Sequence, residues 1–156
     1  MANYIATART NYFRVTDEEK YKELFKRLCS ESDVHDFSKE KDGVLYHGFG
    51  SYDSITYYDE NNCDYDFDYF LDNLQEILPD DEAFMYFESG HGKLRYITGF
   101  SIILTSKEIV SNNIETWAIK KAKELLGDDF TTQIDYWSNN DFMRSVRVWD
   151  MYFFAK

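Results

Sequence analysis

Between residues 42 and 92 the chain has neither lysine nor arginine. With a formal charge of −12 over 156 residues, it repels a nucleic-acid backbone over most of its surface. Cysteine is almost as scarce. Cys29 and Cys63 form no CxxC pair, which excludes a secreted disulfide scaffold and fits a reducing cytoplasm. A single proline, Pro79, and seven glycines leave no linker or low-complexity tract. The longest apolar run lies around 100–104, far short of the ~20 residues of a membrane helix. Residues from Asn3 onward are too polar for a signal peptide. Nucleophile elbow, Walker loop, GxGxxG and HExxH are all missing, so no catalytic residue, cofactor or metal is expected.

Apolar material is plentiful. Hydrophobic residues make up 44% and aromatics 19%, enough for one domain over 1–156 that buries about two-thirds of its unfolded surface. The acids are strongly segregated. Thirteen of 29 lie within 42–92, leaving 16 acids against 17 bases elsewhere. A field so localised steers partners.

Residues 2–15 are rich in β-branched and aromatic side chains and predict a strand. A helix follows over 17–28, with Thr16 and Glu19 spaced as a capping box and Tyr21, Leu24, Phe25 and Leu28 on one face. Two or three short strands are expected over 34–58, then a polar turn at 59–62. A second helix over 64–78 buries Phe67, Phe70, Leu71, Leu74 and Ile77, and Pro79 stops it. Strands over 82–88 and 94–105 meet at a turn, 89–93, whose two glycines suit positive φ. A third helix over 113–126 turns Ile114, Trp117, Ala118, Ala122 and Leu125 inward, and Gly127 ends it. Further strands are expected over 130–137 and 143–154. The fold class is α+β: an antiparallel sheet with about three helices packed on it. In the last strand Trp149, Met151 and Phe153 alternate with Tyr152 and Phe154, so both faces are apolar. Residues 138–156 are expected as a C-terminal strand extension, and either both its faces are buried within the domain or it pairs two copies into a homodimer.

Residues 1–15 (MANYIATARTNYFRV), the Gly48-Phe49-Gly50 region and residues 90–96 (GHGKLRY) carry a resemblance. They resemble a group of small acidic proteins of phages and mobile elements of Gram-positive bacteria. The similarity runs from residue 1 to about 136, and these motifs mark no catalytic residues. It implies a protein acting in the cytoplasm of a bacterial host, as an anti-CRISPR or anti-restriction inhibitor of host defence.

Three site readings compete. Glu88 and His91, three residues apart and close to Lys93, would be the centre of a small enzyme or modifier, against the plainer reading of an exposed turn histidine. Asp59, Asn61 and Cys63 imitate the start of a calcium loop, but Asp64 stands where glycine is required and Phe70 where the bidentate glutamate belongs. The third reading is a DNA mimic. Asp59, Glu60, Asp64, Asp66, Asp68, Asp72 and Glu76, interleaved with Tyr65 and Tyr69, would bind the basic groove of a host nuclease or other nucleic-acid-binding protein. Its plain alternative is a solubilising surface. A structural subunit of a phage particle, self-assembling through the aromatic C-terminal segment, is the remaining option.

Overall fold

The computed structural model describes residues 5–60, 64–92 and 96–127. Contacts group the chain into two compact units, Met1–Ala118 and Ile119–Lys156. The second is described only over 119–127, where it is helical up to Leu126. In chain order the elements are β1 (Ile5–Thr10), α1 (Glu18–Phe25), β2 (Leu28–Cys29), β3 (His35–Asp36), β4 (Lys39–Lys41), β5 (Val44–Tyr46) and β6 (Phe49–Ser51). Then come β7 (Thr56–Asp59), β8 (Asp64–Tyr65), α2 (Phe67–Gln75), β9 (Phe84–Gly92), β10 (Tyr96–Leu104), β11 (Ile109–Asn113) and α3 (Ile114–Leu126).

Six strands form one antiparallel sheet in the order β11-β10-β9-β1-β6-β3, which bears out the α+β expectation. Along β1, Ala6, Ala8 and Thr10 are buried while Ile5, Thr7 and Arg9 are exposed, the period-2 signature of a sheet with one covered face. Side chains extend the ladder where the backbone leaves it. The Asn11 amide donates to Ala83 O (2.8 Å) and accepts from Met85 N (2.7 Å), and Thr10 Oγ1 accepts from Phe49 N (2.9 Å). On the covered face Phe84 meets Phe13 edge-to-face at 5.0 Å, with Phe49 and Phe70 rings close by. Tyr21 and Leu24 of α1 and Phe70, Leu71 and Leu74 of α2 close this core. Between β4 and β5, Asp42 and Gly43 both have positive φ (54° and 75°), the requirement of a two-residue type I′ hairpin.

Several expected boundaries move, each for a local reason. Asp17, not Thr16, caps α1, accepting from Lys20 N at 2.9 Å, because the Thr16 hydroxyl instead donates to Ile77 O (3.1 Å). Helix α1 stops at Phe25, since Leu28 and Cys29 pair with Tyr57 and Thr56. Asp64 and Tyr65 pair with Asp59 and Tyr58, so α2 begins only after Asp66. The predicted turn at 89–93 is mostly strand: β9 runs to Gly92, and His91 sits opposite Ile97. Strand β11 is additional to the expected elements. Helix α3 forms over the predicted span, but its apolar residues are not covered: Ile114, Trp117, Leu125 and Leu126 are exposed. The strands expected over 130–137 and 143–154, and with them the 138–156 extension, lie outside the described residues.

Candidate acidic interaction surface

The fold disperses nine of the thirteen acids of the stretch into three sets. Asp59 closes β7 on the same side as Tyr57 and is 1% exposed, engaged within the fold. It is no surface residue, which corrects its assignment to the partner-binding set. The burial pattern of β7 explains this: alternate residues face the core, so Asp59 follows Tyr57 inward.

A second set is neutralised by bases from residues 14–27. Arg27 Nη2 reaches Glu60 at 3.0 Å, and Lys20 Nζ reaches Glu76. Arg14 forks onto Glu82 (2.7 Å) and Asp81 (3.1 Å), holding the Asp81 carboxyl below its ordinary range. Linear distance hid these pairs, since each joins residues at least 33 positions apart.

The third set is the candidate site. Asp64 in β8, Asp66 at the N-cap of α2, and Asp68 and Asp72 on its first turns lie together. Among the described residues no lysine or arginine pairs with any of the four. Asp66 has extended backbone angles (φ −141°, ψ 101°), and its Oδ1 accepts from the amides of Asp68 (2.9 Å) and Tyr69 (3.4 Å). Asp64 Oδ1 accepts from Tyr65 N at 2.7 Å. Partial burial, then the charges of Asp66 and Asp72, push the Asp68 carboxyl above its ordinary range. Beside the acids, Tyr65 is 63% exposed and touches the Tyr58 ring (centroids 5.4 Å apart), while Tyr69 stacks on Tyr57 at 5.7 Å. Tyr65 thus presents its ring outward beside the acids, whereas Tyr69 is half-buried against Tyr57.

Glu88 and His91 do not meet. Strand alternation turns Glu88 to the covered face, where its carboxylate accepts from Tyr86 OH (2.7 Å) and Ser54 OH (2.8 Å). His91 is exposed on the opposite face. The polar constellation that the sequence did not disclose is at His47. Its Nε2 lies 2.9 Å from Glu18 Oε2, its Nδ1 3.3 Å from Ser38 Oγ, and its ring 4.0 Å from that of Tyr21. His47 is buried, so this series ties α1 to the strands beneath it rather than serving an open cleft. Burial, then Asp36 and Glu18, push the Tyr21 phenol up.

No family model matches the chain, and neither a curated protein nor a solved structure shows significant similarity to it.

Proposed function

We propose that this chain is a non-enzymatic binding protein whose acid–tyrosine ridge docks in a basic groove of a nucleic-acid-processing protein. Such a ligand acts as a DNA mimic, in the manner of an anti-CRISPR or anti-restriction inhibitor inside a bacterial host. The observation that carries the reading is the selective pairing of acids. Arg14, Lys20 and Arg27 neutralise four carboxylates of the stretch, whereas Asp64, Asp66, Asp68 and Asp72 stay together beside the exposed Tyr65. Crowded carboxylates repel: partial burial first, and then the charges of Asp66 and Asp72, raise the proton affinity of Asp68. Duplex DNA presents one charge per about 1.7 Å of axis, so a groove built for it offers such a ridge several cations. Tyrosine rings at the rim stack on arginine.

Affinity capture from a bacterial lysate, with the parent and an Asp64→Asn/Asp68→Asn/Asp72→Asn variant, tests this. Asp66 is spared because it caps α2. The parent should retain a nucleic-acid-binding protein that duplex DNA displaces. The variant should associate at least roughly tenfold more slowly at low salt, with a shallower salt dependence. Equal retention of both proteins, or a ternary complex with DNA, would falsify the reading.

A further inference from the structure

The sheet has a second face, and it is chemically unlike the ridge. Register places Asn112, Ser101, Phe87, Arg9 and Gly50 in one row across five strands. Gly50 matters to this row. A Cβ there would stand 2.7 Å from Ala8 O and 3.1 Å from Phe37 Cε2, so Phe37 occupies the space a side chain would need. The Phe37 ring then lies 5.5 Å from Arg9 Cζ and holds the guanidinium by a cation–π contact. Arg14, Lys20, Lys22, Lys26 and Arg27 all meet carboxylates, whereas Arg9 has none among the described residues.

Beside Arg9, the first turn of α3 passes over Gly99, with Ile114 Cγ2 3.4 Å from the position a Cβ would take. The result is a groove of about 610 Å³, within the usual span of small-molecule sites, roughly 300–1,000 Å³. Phe87, Ile114 and Trp117 are its apolar walls, each about half exposed. Thr7, Ser101 and Asn112 add short polar groups. Glu88 contributes to the wall, but its carboxylate is turned through the sheet to Tyr86 and Ser54. Among the described residues Arg9 is thus the groove's one outward charge, in a chain of net charge −12.

We propose that this groove binds a small aromatic carboxylate, its ring between Phe87 and Trp117 and its carboxylate forked onto Arg9. A planar guanidinium recognises a carboxylate through two parallel hydrogen bonds, and a ring that is already positioned loses little freedom on packing against indole. The overall field disfavours polyanions, so a single negative charge suits the site better than a nucleotide polyphosphate. The site is independent of the acidic ridge.

The probe is 2-naphthoate, titrated into the full chain while ¹H–¹⁵N shifts are followed. Shifts should centre on the Gly99 amide and the Trp117 indole. The neutral analogue 2-naphthamide should bind at least tenfold more weakly, and Arg9→Gln should weaken naphthoate by a similar factor with the rest of the spectrum unchanged. If R9Q does not fold, the acid–amide comparison on the parent decides. Shifts located elsewhere, no shifts at all, or equal affinity for acid and amide each overturn the proposal.

Discussion

Two carboxylates meet burial in different company. Asp68 is half-buried beside Asp66 and Asp72, so its folded-state pKa is raised. A raised carboxyl binds its proton more tightly in the folded state. The resulting stabilisation is complete below the unfolded pKa and is lost as pH rises through the folded one. Asp68→Asn should therefore gain about 0.3–0.5 kcal/mol at neutral pH, the scale of a like-charge pair one helical turn apart. The gain should fade below about pH 4, where the parent is protonated too. Urea titrations at the two pH values check it, and an unchanged or negative difference at neutral pH refutes it. Glu88 is the contrasting case, buried yet served by hydroxyl donors. Tyr86→Phe removes one donor while keeping the ring contact with Phe67, and should cost about 1–3 kcal/mol by chemical denaturation. A loss under about half a kcal/mol, below the usual net value of one hydrogen bond, would show that the carboxylate is satisfied without that phenol.

Helix α2 illustrates what pattern reading reaches and where it stops. Its stripe of Phe70, Leu71 and Leu74 was legible because 3.6-residue periodicity is a property of the segment alone. Its start was not, because Asp64 and Tyr65 are recruited as a strand by Tyr58 and Asp59, and no local residue announces that pairing. The same distinction explains α1, where Thr16 matches a capping pattern but finds a partner at Ile77, 61 residues away. Gly90 and Gly92 suggest a turn, yet the β9–β10 ladder runs through both, and among the described residues positive φ occurs only at Asp42, Gly43 and Gly127. Of the candidate site, Asp64, Asp66, Asp72 and Tyr65 are exposed and Asp68 partly so, as their spacing suggests. The inward turn of Asp59, and the pairing of Glu60 and Glu76 with distant bases, emerge only in three dimensions. Since Asp66 both caps α2 and belongs to the ridge, its two roles are separable. Asp66→Asn keeps an acceptor and should leave stability within a few tenths of a kcal/mol, whereas Asp66→Ala should lose about 1 kcal/mol. Equal melting curves for the two variants would mean that the cap contributes nothing.

For the molecule as a whole, net charge opposes compaction while a few pairs resist it. Raising salt screens both, but unequally. The Arg14–Glu82 pair is short and partly shielded, so it is screened less than exposed carboxylates facing one another across water. Salt should therefore weaken repulsion more than attraction. The melting temperature should rise by a few degrees between low and moderate sodium chloride, as a gain of about 1 kcal/mol would give for a chain of this size. A fall over the same range would show that attractive pairs dominate.

The central place of β1 in the sheet also governs the order in which the chain can assemble during synthesis. Strand β1 is made early, yet one of its neighbours, β9, comes some 80 residues later, and their register joins Ile5 to His91. At translation rates of about 5–20 residues per second, β1 waits roughly 4–16 s for that partner. Meanwhile β6 can pair only at Ala8 and Arg9. An alternating strand with an unfilled edge is what a chaperone or a neighbouring nascent chain would capture. The growing polypeptide is most exposed to misassembly before residue 92 has cleared the ribosome, and the closing of β9 against β1 ends that interval.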